Sequence, residues 1–267
     1  MRGLFLTIVL MGIFQIVVNQ AALSQSLEPV SYQDGNHKLK GYITSNGVKQ
    51  LSGEQLEKDL SNAKKLPGVL ILPAWKGVDN EARTAALELE KEGYIAFVAD
   101  IYGEENTPQD NAAAAKLSSS YKNDFKAYQH RISLALDQLI AKGAAADKIA
   151  VIGYCFGGTG ALEAARAGFD VQGVVSIHGG LSKDENRINN SIKTKVLVEH
   201  PAEDKSVSEE DFDNLVKEMR DGNADWQIII YANTGHTFTN PESSEYNEVM
   251  ANRAWSHTLL FLEEVLK

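Results

Sequence analysis

Three side chains of this 267-residue chain have types that do covalent chemistry, and each follows an apolar run. Cys155 is the only cysteine and stands in Gly153-Tyr154-Cys155-Phe156-Gly157-Gly158. The apolar run 148–152 precedes this hexapeptide and the helix-forming run 159–166 follows it, which reads as strand, tight turn and helix with a thiol at the apex. Small residues around the apex permit a strained turn, and the amides that open a helix favour an adjacent thiolate. Asp204 lies in a loop after the strand-like run 195–200, with Glu203 beside it as an alternative acid. His236 lies in Gly235-His236-Thr237-Phe238, after the strand-like run 226–231. A cysteine attacks as its thiolate and needs a base or a positive neighbour. An imidazole can take and return the proton, and a carboxylate can fix its tautomer.

The rest of the chain predicts elements able to carry these loops. Strand-like runs at 68–72, 94–99 and 171–178 alternate with helical patterns over 80–92, 112–120, 124–142 and 209–220. Trp255, Leu259, Leu262 and Leu266 mark one face of a last helix. Alternation of this kind predicts a mostly parallel sheet flanked by helices on both faces. Sites in such sheets collect beyond the carboxyl ends of the strands. Residues 27–46 read as an edge segment, with strand character at 40–43. Residues 48–66 are polar, with a short surface helix over 54–64.

A thiol at a strand–turn–helix apex, followed in order by acid and histidine, is similar to the nucleophile elbow and triad order of α/β-hydrolases. Within that superfamily, Gly-Tyr-Cys-Phe-Gly-Gly, the later aspartate, Gly-His-Thr-Phe and Asp100-Ile101-Tyr102-Gly103 resemble the dienelactone hydrolase family, from about residue 67 to the C-terminus. The resemblance implies a catalytic triad of Cys155, Asp204 and His236 and hydrolysis of a small ester or lactone. It also implies an acyl-enzyme thioester and no cofactor. In this fold the oxyanion is held by the amide after the nucleophile, here Phe156, and by one from an earlier strand's loop, here Trp75. Tyr102 and Tyr154 are expected to shape the pocket. Two departures are visible. Ala74 stands where the founding enzymes carry a glutamate beside the thiol. Gly103, Glu104 and Glu105 stand where they carry an arginine that grips a substrate carboxylate.

A formal charge of −10 argues against nucleic acid or an anionic membrane surface as partner. His37, His130, His200 and His257 lack metal-ligand spacing, and His178 reads as a hydrogen-bonded rather than metal-binding histidine. Gly157, Gly158 and Gly160 lack the partners of a phosphate loop. At the N-terminus Arg2, the apolar run 4–18 and small residues at 21–24 predict a signal peptide over 1–24. Cleavage is expected after Ser24, or next after Ala21, with an uncleaved anchor as the alternative. The expected product is periplasmic or secreted, without stable membrane insertion, with an extension at 25–66 and one domain at 67–267. Two other readings stay open from sequence: a non-catalytic binder of small ligands, and a thiol redox sensor.

Overall fold

A computed structural model describes residues 26–45, 65–184 and 186–267. The expected signal peptide and the expected helix over 54–64 lie outside these residues.

Eight strands form one sheet: β1 (Leu27–Asp34), β2 (His37–Thr44), β3 (Gly68–Leu72), β4 (Ile95–Val98), β5 (Ile149–Tyr154), β6 (Gly173–Ile177), β7 (Lys195–Pro201) and β8 (Trp226–Tyr231). Their spatial order is β1-β2-β4-β3-β5-β6-β7-β8. β1 and β2 pair antiparallel, as do β2 and β4, and every other pairing is parallel. β3 to β6 are buried along their whole length, which is why they read as unbroken apolar runs rather than as alternation.

Where one edge strand was expected there is a hairpin. β1 and β2 join through Gly35-Asn36, with Gly35 at φ 56°. β1 escapes a sequence reading because it is an edge strand and buries only Val30 and Tyr32.

Among the described residues six α-helices flank the sheet: α1 (Asn80–Lys91), α2 (Asn111–Asn123), α3 (Phe125–Ala141), α4 (Phe156–Arg166), α5 (Glu209–Asp221) and α6 (Glu248–Leu266). Successive residues of a strand point to opposite faces. Leu70 and Leu72 therefore join the core under α3, α4 and α5, while Val69 and Ile71 join the core under α1 and α6. Asp79, Asp110, Asp124, Ser208 and Asn247 cap five of the helices by accepting a first-turn amide. The Asn247 cap starts α6 about two turns before the apolar stripe that announced it. α4 has no side-chain cap, and its first residue follows Cys155 directly.

Candidate active site

The loops leaving β3, β4, β5, β6, β7 and β8 meet above the carboxyl edge of the sheet. At the end of β5, Cys155 has φ 53° and ψ −112°, a conformation that costs a non-glycine residue of order 1–3 kcal/mol. Close approach on both sides holds it there. A Cβ on Gly153 would lie 2.0 Å from the Gly157 carbonyl oxygen, and one on Gly157 would lie 2.0 Å from that of Leu72. Glycine at these two positions lets α4 start against β3 and lift the thiol over the sheet edge.

The structure brings Cys155, His236 and Asp204 together. His236 Nε2 is 3.1 Å from Cys155 Sγ, and His236 Nδ1 is 2.7 Å from Asp204 Oδ2. Cys155 remains partly exposed. Glu203, the alternative acid, points to solvent while the Asp204 side chain is buried. The acid and histidine loops are stitched to each other: the Ala202 amide donates to Tyr231 O at 2.9 Å, and the Glu203 amide donates to Thr234 O at 3.0 Å. The Thr234 hydroxyl closes the turn on Tyr231 O at 2.6 Å.

Burial alone would push the His236 pKa down. Its hydrogen bonds to Asp204 and Cys155 outweigh burial and raise it to about 10. Burial likewise pushes Asp204 up, but donation from His236 and from the Ser206 hydroxyl and amide brings it to about 2. Nδ1 therefore carries a proton donated to a carboxylate, and Nε2 presents its proton to the sulfur.

Ser206 had no assigned role in the sequence reading. Its amide and hydroxyl both donate to Asp204 Oδ1, at 2.9 and 2.7 Å, and its oxygen lies 3.1 Å from His236 Nδ1. The available signal was the Asp-x-Ser spacing of a local side-chain turn.

His178 sits beneath the elbow, 1% exposed, with its ring 5.2 Å from that of His236. Its Nδ1 accepts from the Cys155 amide at 3.1 Å, an amide also bonded to Ile177 O at 3.0 Å. The ring proton is thereby assigned to Nε2, which donates to Thr239 Oγ1 at 2.8 Å. The Thr239 hydroxyl in turn donates to Glu81 at 2.6 Å. Burial first, and then the neighbouring His236 charge, lower the His178 pKa to about 3. Two imidazoles in near contact thus differ in charge, because His236 faces a carboxylate while His178 is buried beside the charge on His236. Nothing in the sequence announces Thr239 or Glu81 as its partners.

Phe156 and Trp75 are held by aromatic packing. Phe156 stacks between Tyr128, with centroids 4.5 Å apart, and Tyr102, at 5.6 Å. The Tyr128 hydroxyl donates to Phe156 O and that of Tyr102 to Trp75 O, both at 2.9 Å. Tyr102 is fixed in turn by Asp100, whose carboxylate accepts from the amides of Tyr102, Gly103 and Lys40. Within the described structure neither the Phe156 nor the Trp75 amide donates to another group. The Pro73–Gly77 loop is closed by the Gly77 amide on Ala74 O at 3.0 Å. Ala74 offers the thiol only a methyl group, and among the described residues the hydrogen-bond partner of Sγ is His236.

Tyr154 departs from its expected place. It occupies the opposite parity of β5, packs in the core under α1 and α6, and lines a separate cavity there. Among the described residues no group of three or more histidine, cysteine or acidic side chains is arranged to hold a metal.

A parallel sheet with helices on both faces, a nucleophile-type elbow after β5 and an imidazole after the last strand define an α/β-hydrolase fold. The profile of the dienelactone hydrolase family matches residues 58–266, and the chain belongs to that family, a hydrolase of ester or lactone bonds. It is 26% identical over 209 residues to a Bradyrhizobium sp protein named "Probable 2-oxo-3-(5-oxofuran-2-ylidene)propanoate lactonase", covering 74% of this chain and 84% of that one. It is also similar to a crystal structure of a dienelactone hydrolase-like promiscuous phosphotriesterase from metagenomic libraries. There the identity is 28% and the TM-score 0.80, over 91% of this chain and 99% of that one. A structure named m3DLH gives 30% identity and a TM-score of 0.80 over the same shares.

Proposed function

We propose that the protein hydrolyses small, uncharged esters or lactones through a Cys155–His236–Asp204 triad. The observation that carries this reading is the continuous chain from Sγ to Nε2 at 3.1 Å and from Nδ1 to Oδ2 at 2.7 Å, built on a strained elbow. The Cys155 thiolate attacks the carbonyl carbon. The oxyanion that forms accepts hydrogen bonds from the Phe156 and Trp75 amides, neither of which donates to another of the described residues. His236 then gives its Nε2 proton to the leaving alkoxide as the C–O bond breaks, which leaves a thioester on Cys155. Water attacks the thioester, Nε2 takes its proton, and the thiolate leaves with His236 charged again. Asp204 holds the ring and its charge throughout.

The acidic Glu104 and Glu105, both exposed just beyond Tyr102, favour neutral substrates over carboxylates. Because Ala74 supplies no carboxylate, activation of the thiol rests on His236. Export rests on the composition of residues 1–24 and is tested by locating the protein after cell fractionation.

The catalytic reading is tested with p-nitrophenyl acetate. Cys155→Ala and His236→Ala are expected to lose turnover, and Asp204→Asn to lose roughly 10²–10⁴ in kcat. Wild-type rates in Cys155→Ala or His236→Ala would refute it.

A further inference from the structure

A second cavity, of about 340 Å³, lies on the far face of the sheet from Phe156 and Trp75. Its floor is the carboxyl ends of β5, β6 and β7, through Tyr154, Ile177 and Glu199, and its walls are α1, the 239–246 segment and α6. Four carboxyl side chains border it, Glu81, Glu88, Glu199 and Glu242, together with the rings of Tyr154, Tyr246 and Trp255. Among the described residues no lysine, arginine or histidine borders it.

Three of the four acids have partners. Thr239 donates to Glu81, Asn80 donates to Glu242, and Lys91 pairs with Glu88 on the outer side. Glu199 is different. It is 0% exposed, Thr258 donates to one of its oxygens at 3.1 Å, and the other oxygen has no partner among the described residues. Burial, with only the Thr258 hydroxyl opposing it, pushes the Glu199 pKa well above the ordinary carboxyl value; a cationic donor reaching the orphan oxygen from the cavity would both satisfy it and favour its charged form.

We propose that this cavity binds a small organic amine as its ammonium ion. The charge would lie between Glu199 and Glu81 and the apolar body against Tyr154, Trp255 and Tyr246. An ammonium group has three donors and no acceptor, which suits a site rich in carboxyl oxygens. Its charge is further favoured by aromatic faces. Glu88 and Glu242 at the cavity border disfavour an anion, and the volume falls in the range of small-molecule sites. The cavity does not include the thiol, to which Glu81 connects only through Thr239 and His178, and the proposal does not rest on the triad.

The test is calorimetric titration of the full chain with phenethylammonium chloride, beside 2-phenylethanol and phenylacetate as neutral and anionic counterparts of similar shape. Saturable binding of phenethylammonium alone is expected, weakened about tenfold or more in Glu199→Gln. Thr84→Lys keeps the test open if the buried variant does not fold. Thr84 is an exposed residue of α1 at the cavity rim, where a lysine places a competing ammonium. This variant is expected to lose binding while its ester hydrolysis is unchanged. Absence of saturable binding to the wild type, equal binding by Thr84→Lys, or equal affinity for 2-phenylethanol would overturn the proposal.

Discussion

His236 and His178 show how much of the site's chemistry is set by one neighbour each. Both rings lie under the same loops, yet Asp204 holds the first charged, and a sealed pocket holds the second neutral. A pH dependence of stability follows. The folded His236 pKa, about 10, lies above the usual value near 6.5, so the native state binds the proton more tightly than the unfolded chain. The resulting stabilisation is fully present below about pH 6.5, and it is lost as pH rises through about 10. Asp204 works in the other direction. Its contribution is present above about pH 4 and is lost as pH falls through about 2. Urea unfolding across pH is expected to show wild type losing stability between pH 6.5 and 10 relative to His236→Ala; parallel profiles would contradict the assignment. At this scale the sequence revealed residue types and their order. It did not reveal Ser206 or Thr239, whose contacts arise only when loops from different strands meet.

The elements set those loops in place by packing and by buried ion pairs. α4, which carries the elbow, is tied down by Glu163 and Arg166, 3.0 Å apart. Arg166 reaches Glu218 of α5 at 2.8 Å, and Arg187 reaches Glu163 at 2.9 Å. Burial works against the charge on Glu163, but bonds and charge from Arg187 and Arg166 keep its pKa lowered. Removing Glu163 leaves the partly buried Arg187 without its carboxylate and Arg166 with Glu218 alone, so Glu163→Ala is expected to cost about 3–5 kcal/mol. Denaturant unfolding measures this, and a loss below about 1 kcal/mol would mean the network is solvated. The central strands and the helices were legible because unbroken apolar runs and helical spacing have no rival explanation there. The hairpin strand β1 was not, since only Val30 and Tyr32 carry its buried face. Proximity in sequence to Cys155 says nothing of strand parity, and Tyr154 faces the core under α1 and α6. Its neighbour's side chain leaves the sheet at the elbow, while Tyr154 still obeys the alternation of β5.

For the whole molecule, charge and topology act together. The sheet gathers six loops at one edge, and a chain of formal charge −10 surrounds them. With Glu104 and Glu105 exposed beyond Tyr102, a carboxylate-bearing ester meets repulsion that a neutral one does not. Salt screens such exposed charges over about 10 Å at 0.1 M. The KM for a carboxylated ester is therefore expected to exceed that of its neutral analogue and to fall as salt is added, while the neutral ester's KM stays level. Steady-state kinetics over a salt series decides this, and a salt-independent KM for both would remove the electrostatic argument. Membership of the hydrolase family was legible from four short motifs because the close approach of α4 to β3 demands glycine at the elbow and the thiol, acid and imidazole each follow a strand. The cavity under α1 and α6 was not, since Glu81, Glu199 and Trp255 lie far apart in sequence.

The central claim is that Cys155 becomes acylated during turnover. Rapid quenching of wild type mixed with p-nitrophenyl acetate, followed by peptide mass spectrometry, tests it directly. The account predicts one acetyl group on the peptide containing Cys155, formed with a burst of nitrophenolate and absent in Cys155→Ser after thiol-specific release. Turnover with no acetyl on that peptide, or with the acetyl on another residue, would contradict it.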